Sequence, residues 1–253
     1  MTPLPLSLIS KRHSVRSYLP RPLAPDVVRE LQAEITMIVS HESGMHFRLV
    51  TDDSSPFDGF TASYGFFRNA RNYMAAIIDP SFPHTWERAG YFAELLAIKA
   101  VESGLGSCFV GGTFNATKVN VPMRAGEKLP FILLLGYPDE RHTSMMGRIA
   151  KKIIHRNDPD WQALYIGNPP LPQALQQHPE LATALKALAC APSSLNKRPV
   201  RLQLHDGMIT ASVENPTDKQ LIDLGIAKYN IAAATGGDFD WGNGAALYSP
   251  QTI

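Results

Sequence analysis

The segment from Trp86 to Ser103 is the clearest helix of the chain, and its apolar residues do not keep to one side. One stripe consists of Ala89, Phe92, Ala93, Leu96, Ala97 and Ala100, and the apolar residues on other faces are Leu95, Ile98 and Val101. A helix that is apolar on several faces is buried inside a protein rather than laid over a core. The chain must therefore fold with other elements around this helix, and its 253 residues are enough to build them.

A second helix with small and apolar residues is predicted from Asp218 to Thr235. Each of the two helices ends in a turn that contains glycine, Ser103-Gly104-Leu105-Gly106 in the first and Thr235-Gly236-Gly237 in the second. This similarity is a weak internal repeat, and by itself it would not establish a duplication.

Apolar periodicity and turn residues predict the other elements. A helix begins at Pro25 and continues through Ile35, and another covers Leu181 to Ala189. Strands are predicted at Phe47–Val50, Tyr73–Ile78, Phe131–Leu135, Val200–His205 and Met208–Val213, and Asp206-Gly207 is a hairpin turn between the last two.

The composition argues against several classes of protein. The net charge of +1 gives no electrostatic basis for binding nucleic acid or an anionic membrane, and no run approaches 18 apolar residues. The first eleven residues lack the apolar stretch of a signal peptide. Cys108 and Cys190 are too few for a disulfide framework, and the histidines show no metal-ligand spacing. We therefore expect a soluble cytoplasmic protein without a metal site.

Arg12, Ser14 and Arg16 alternate in the sequence Arg-His-Ser-Val-Arg, which we call the arginine segment (residues 12–16). We expect it at the start of a helix. Two guanidiniums that can each bind a phosphate in a bidentate manner, with a hydroxyl donor between them, suit a terminal phosphate group. The same pattern is common in solvated basic turns, so its interpretation depends on the rest of the chain.

The second polar motif is Ala191-Pro192-Ser193-Ser194-Leu195-Asn196, which begins the serine loop (residues 191–198) between a predicted helix and a predicted strand. Hydroxyl and amide groups at a helix end can hydrogen-bond the polar edge of a planar heteroaromatic ring. They can equally cap the helix and form a turn, because Pro, Ser and Asn are favoured there locally. The residues alone leave both interpretations open.

Glycines follow the buried helix at Gly104, Gly106, Gly111 and Gly112. Glycine allows a ligand to approach the backbone closely, although a helix C-terminus that runs into a strand would explain the first two. The spacing is not that of a dinucleotide-binding fingerprint. Cys108 has apolar neighbours and no evident histidine partner, so we interpret it as a buried structural thiol rather than a nucleophile.

Together these motifs resemble the FMN-dependent nitroreductase family. The matching segments are the arginine segment with Ser17-Tyr18, the helix into Gly104-Leu105-Gly106-Ser107-Cys108, Gly111-Gly112, Leu135-Gly136-Tyr137-Pro138 and the serine motif. Members of the family are α+β homodimers that hold FMN at the subunit interface. One subunit supplies the Arg-Ser-Arg contacts to the phosphate and the glycine-rich backbone under the isoalloxazine ring, and the other supplies the Ser-Ser-x-Asn segment.

In this chain about 180 residues separate Ser14 from Ser194, far more than in the family. The resemblance therefore implies an α+β, nitroreductase-like fold of two diverged halves, residues 1–155 and 156–253, packed as an intramolecular pseudo-dimer. One complete FMN site per chain would remain. It would use Arg12, Ser14, Arg16, Gly111 and Gly112 from the first half and Pro192, Ser193, Ser194 and Asn196 from the second. The basic residue that assists the phosphate would be Arg148, Lys151 or Lys152.

The implied function is that of an FMN-dependent oxidoreductase. NAD(P)H would donate a hydride to flavin N5 and be replaced by a small electron acceptor such as a nitroaromatic or a quinone. No side chain is expected to act as a general acid or base, and the chain would be able to work as a monomer. Arg198-Pro199-Val200 stands where the family has Gln-Pro-Trp, which alters the expected substrate pocket. The alternative is a non-catalytic flavin- or nucleotide-binding protein of the same fold.

Overall fold

The computed structural model describes residues 2–58, 66–142 and 160–248. Its helices are α1 Leu6–Lys11, α2 Pro25–His41, α3 Thr85–Glu102, α4 Leu171–Gln177, α5 Glu180–Cys190 and α6 Asp218–Thr235. Its strands are β1 Met45–Val50, β2 Asn72–Ile78, β3 Gly106–Val110, β4 Lys128–Gly136, β5 Arg201–His205, β6 Met208–Ser212, β7 Asp238–Phe239 and β8 Leu247–Tyr248. The helices predicted at α2, α3, α5 and α6 and the strands predicted at β1, β2, β4, β5 and β6 are confirmed, although α2 continues beyond Ile35 to His41 and β4 begins at Lys128 rather than Phe131.

The chain divides into two compact units. The sheet unit consists of Arg12–Thr85 and Leu95–Arg156, and the helix-pair unit consists of Met1–Lys11, Trp86–Glu94 and Asn157–Ile253. The predicted boundary between residues 155 and 156 lies outside the described residues. The division of the chain into two diverged halves therefore stays a prediction.

The sheet unit contains a four-stranded antiparallel sheet in the order β1-β2-β4-β3. Every residue of the central strand β2 is buried, as expected for a strand whose two faces are both covered. Helix α2 packs on β1 and buries one stripe of apolar side chains, Val27, Leu31, Ile35 and Ile38. The buried side chains Tyr73, Cys108, Ile132 and Leu134 belong to a core cluster on this sheet.

Helix α3 is buried as its apolar pattern predicts. Leu96, Ala97 and Ala100 are fully buried, and Ile98, on another side of the helix, is 1% exposed. No helix in the described part of the chain has both the length and the apolar character needed to cross a membrane.

In the helix-pair unit, α3 and α6 touch through glycine. A Cβ atom added to Gly90 would overlap the carbonyl oxygen of Ile222, and one added to Gly225 would overlap the carbonyl oxygen of Glu87. Ile222 precedes Gly225 by three residues, and Glu87 precedes Gly90 by three. Each glycine thus contacts the residue that lies three positions before the other glycine. This reciprocal pattern is the one that equivalent residues form across a two-fold axis.

A buried ion pair joins the same two helices. Lys228 is fully buried, and its ammonium group donates hydrogen bonds to the Glu87 carboxylate and to the carbonyl oxygens of Asp240 and Gly242, at 2.9 and 2.7 Å. The Gly242 amide donates to the other Glu87 carboxylate oxygen at 2.9 Å. Burial lowers the pKa of Lys228, and the Glu87 carboxylate opposes this shift. Because buried charges are costly unless they are fully paired, this network fixes the segment around Asp240 to the helices.

We predict that Gly225→Ala destabilises the protein, although alanine usually stabilises a helix by about 1 kcal/mol relative to glycine. The added methyl would meet backbone atoms of α3, so the helices must separate, at a cost of about 1–3 kcal/mol or more. Urea unfolding measures the change. Gly112→Ala is the control, because a Cβ there would meet no atom within 4 Å. A Gly225→Ala protein as stable as the wild type would contradict the close contact of the helices.

Candidate functional site

The arginine segment lies directly after α1 and has an extended backbone. The prediction that it starts a helix is therefore wrong. Ser14 pairs with Ser107 of β3 in a parallel bridge, and the Val15 amide donates to the Ser107 carbonyl oxygen at 2.8 Å. The extended conformation is favoured because the strand supplies a partner for this amide.

Apolar side chains anchor the arginine segment to the sheet unit. Val15 and Tyr18 belong to the buried core, whereas Ser14 and Arg16 are only partly buried. The Tyr18 hydroxyl donates to the Val15 carbonyl oxygen at 2.6 Å, and the Arg68 amide donates to the Arg16 carbonyl oxygen at 2.9 Å. The backbone that carries the predicted phosphate contacts is thus held on both sides.

Three of the glycines in the recognised motifs are explained by this packing. A Cβ atom on Gly106 would lie 2.5 Å from the Val15 side chain, and one on Gly136 would lie 2.7 Å from the Tyr18 ring. Gly104, just after α3, has a φ of +74°, which glycine adopts readily. Gly106 and Gly136 therefore leave room for the side chains that anchor the arginine segment, and Gly104 allows the chain to turn after α3.

Gly111 and Gly112 have no such explanation in the fold. An added Cβ would meet nothing within 4 Å at Gly112 and only the Pro130 carbonyl oxygen, at 3.9 Å, at Gly111. Both residues are exposed, and neither has the left-handed φ that favours glycine. The space beside this backbone is therefore open to a ligand.

The two arginines and the Ser14 hydroxyl of the arginine segment all act on the thiol of Cys108 in β3. Burial raises the pKa of its thiol, while the Arg16 charge, a hydrogen bond with Ser14 and the Arg12 charge act in the opposite direction. Cys108 is 2% exposed, and a protonated, buried thiol is a poor nucleophile. This agrees with its interpretation as a structural residue.

The hydrogen-bond donors of the arginine segment suit a phosphate group. Arg12 and Arg16 can only donate hydrogen bonds, and Ser14 adds a hydroxyl. The buried Oγ atom of Ser107, the residue paired with Ser14, makes no hydrogen bond to any residue that the structure describes, and such a group is usual where a polar partner binds. The residues present therefore fit the phosphate end of FMN. The candidates Arg148, Lys151 and Lys152 lie outside the described residues.

The serine loop connects α5 to β5, as predicted, and its backbone is unusual. Residues Ser194–Asn196 form one 3₁₀ turn, in which Leu195 and Asn196 have φ values of 52° and 55°, and Arg198 follows with 47°. Residues other than glycine in this left-handed region cost about 1–2 kcal/mol each, with Asn the most tolerant. Leu195 is also 79% exposed. The loop thus combines backbone strain with an exposed apolar side chain.

Three contacts hold the loop in this conformation. The Arg198 amide donates to Ser193 Oγ at 2.8 Å, which gives Ser193 a role in the loop itself. The Arg201 guanidinium donates to two carbonyl oxygens at 2.6 and 2.9 Å. The Ser194 amide donates to both carboxylate oxygens of Asp223, at 3.0 and 3.2 Å. Strained backbone persists where the surroundings over-determine it, and such places cluster at functional sites.

The sequence motifs did not indicate Asp223. It lies in α6 between apolar neighbours, is 5% exposed, and has its pKa raised to about 6 by burial, which the Ser194 hydrogen bond opposes. An acidic residue directly between the apolar residues Ile222 and Leu224 was the available signal. Elsewhere, the described residues contain no group of three or more His, Cys, Asp or Glu that could hold a metal ion.

The raised pKa of Asp223 predicts a pH dependence of stability. Its pKa is about 6 in the folded protein against 3.8 for an unperturbed aspartate, so the folded state binds the proton more tightly. The resulting stabilisation is present below about pH 4 and is lost as the pH rises through 6, by about 2–3 kcal/mol. Urea unfolding of wild type and Asp223→Asn between pH 4 and 8 measures this difference. Parallel stability curves for the two proteins would contradict it.

Comparison with known proteins agrees with this architecture. A crystal structure of a "putative nitroreductase" from Thermotoga maritima has a TM-score of 0.61 at 17% sequence identity, over 96% of this chain and 91% of that chain. Such a likeness shows a shared fold. A structure described as an FMN-dependent nitroreductase from Clostridium difficile has a TM-score of 0.44 at 20% identity, over 61% of this chain and 100% of that one. A search of curated proteins found no match.

The sequence model of the family described as "Putative TM nitroreductase" matches residues 6–235. The match covers most of the chain and includes both the arginine segment and the serine loop. The chain therefore belongs to this nitroreductase family, and its membership indicates an oxidoreductase.

Proposed function

We propose that the protein is an FMN-dependent oxidoreductase that uses NAD(P)H to reduce a small acceptor such as a nitroaromatic or a quinone. One observation carries the proposal: Arg12, Ser14 and Arg16 alternate along one backbone segment that strand pairing fixes to β3, and all three act on the Cys108 thiol of that strand. A set of donors gathered in this way suits a phosphate group. We also propose a cytoplasmic location, since two cysteines are too few for the disulfide framework of many secreted proteins.

The chain's residues would bind and orient the cofactor. Arg12, Ser14 and Arg16 would hold the phosphate, and the open backbone at Gly111 and Gly112 would lie against the ring. Ser194 and Asn196 would hydrogen-bond the ring edge, with Pro192 and Ser193 shaping the loop. FMN, when bound, would supply the hydride-transfer chemistry, and the protein would supply position and electrostatics.

We propose further that the chain is an internal duplication that does the work of the family's dimer as a monomer. The exchanged contacts of Gly90 and Gly225 support this, because an isologous interface relates equivalent residues in that way. Helices α3 and α6 both have 18 residues. Each is followed by a left-handed glycine, Gly104 with a φ of 74° and Gly236 with 76°.

The decisive experiment is an absorbance spectrum of the purified protein with FMN, before and after anaerobic addition of NADH or NADPH. We expect one FMN per chain and loss of the oxidised-flavin absorbance on reduction. Flavin binding without reduction would favour the non-catalytic alternative, and no binding would rule out FMN as the cofactor. Two equivalent sites per chain would contradict a duplication that kept one site.

A second prediction separates phosphate binding from support of the fold. Arg16→Ala should weaken FMN binding by about 1.5–3 kcal/mol, the value of a hydrogen bond to a charged group. The affinity for riboflavin, which has no phosphate, should barely change. Both affinities can be measured by quenching of flavin fluorescence, with Arg124→Ala as the control for loss of an exposed arginine of the sheet unit. Equal losses for the two ligands would show that Arg16 only supports the fold.

A further inference from the structure

Asp223 makes a contact that the proposed function does not use. Its two carboxylate oxygens share the Ser194 amide of the serine loop, at 3.0 and 3.2 Å. The residue is 5% exposed and lies between Ile222 and Leu224 in α6, where the helix is buried along most of its length. The buried Asp223 carboxylate of α6 therefore accepts hydrogen bonds from a single backbone amide, that of Ser194.

Stability alone does not account for an acid at this position. A buried carboxylate loses hydration, and replacing buried charge with an apolar side chain of similar size is often neutral or stabilising. The adjacent residues of α6, Ile222 and Leu224, are apolar and buried. The benefit of Asp223 must therefore come from the conformation that it imposes on the loop.

That conformation is strained. The amide held by Asp223 directly precedes Leu195 and Asn196, whose φ values of 52° and 55° are unfavourable for side chains with a Cβ. Loss of the Ser194–Asp223 contact would remove one of the three contacts that hold both residues at these backbone angles. A loop that is held in its bound conformation binds more tightly, because the ligand does not have to order it.

We infer that Asp223 is a positioning residue, which holds the Ser194 amide so that the serine loop presents Ser194 and Asn196 to the flavin. The inference rests on the proposed function. It adds an acidic residue outside both recognised motifs, one that acts on the cofactor only through the backbone of the loop.

The test compares FMN affinity with the stability of the protein without FMN. Asp223→Leu removes the acceptor and should weaken FMN binding about tenfold or more at pH 7.5, a change typical of losing a hydrogen bond to a charged group. Asp223→Asn keeps one acceptor oxygen and should lie between Asp223→Leu and wild type. The urea midpoint of the Leu variant should equal or exceed that of wild type. Asp218→Asn, which removes an exposed carboxylate from the first turn of α6, should leave the FMN affinity unchanged.

A second variant tests the strain directly. Leu195→Gly removes the side chain that disfavours the left-handed backbone, so it should restore part of the FMN affinity lost in Asp223→Leu. A double variant that binds FMN no better than Asp223→Leu would overturn the strain argument. If Asp223→Leu does not fold, Asp223→Asn with and without Leu195→Gly answers the same question.

Hydrogen exchange separates this inference from the proposed function. In protein without FMN, Asp223→Leu should speed exchange of the serine-loop amides and leave those of β2 unchanged. Wild type that binds FMN, together with a Leu variant that binds it equally well, would overturn the inference alone. Wild type that does not bind FMN would overturn the proposed function and with it the role of Asp223 toward a flavin. Unchanged exchange in the loop would show that Asp223 does not hold it.

Discussion

The close approach of α3 and α6 sets the arrangement of the helix-pair unit. Because Gly90 and Gly225 have no side chain, the backbone of each helix reaches the carbonyl groups of the other. At this distance the Tyr91 ring stands edge-on to Tyr229 and Trp241, with ring centroids 5.2 and 5.3 Å away. Any larger residue at either glycine would separate these rings, together with the ion pair between the same helices.

The protein fixes its two polar motifs by different physical means. The arginine segment obtains its geometry from strand pairing and from two apolar anchors, Val15 and Tyr18. The serine loop obtains its geometry from side chains that form hydrogen bonds with its backbone, namely those of Ser193, Arg201 and Asp223. The first arrangement follows from the pairing of backbone strands, whereas the second keeps Leu195 and Asn196 at unfavourable backbone angles with the help of the Asp223 carboxylate.

The sequence predicted the elements well because their signals are local. The apolar faces of α3 and the Asp206-Gly207 turn depend on neighbours within a few residues, and Asp206 and Gly207 have the positive φ values, 49° and 75°, that the hairpin requires. The arginine segment was placed wrongly at a helix start, because its backbone partner Ser107 lies far along the chain. Asp223 was missed for the same reason, since only the folded chain brings it to the Ser194 amide.

The ion pair of Glu87 and Lys228 joins residues 141 positions apart, and carbonyl groups from the segment beyond α6 complete it. During synthesis, α3 emerges from the ribosome long before α6 and the segment that follows it. The surface of α3 that contacts Gly225 is therefore synthesised well before the helix that covers it. Contacts of such long sequence separation form late and slowly. The buried contacts of the helix-pair unit can therefore be completed only after α6 and the segment that follows it have been synthesised.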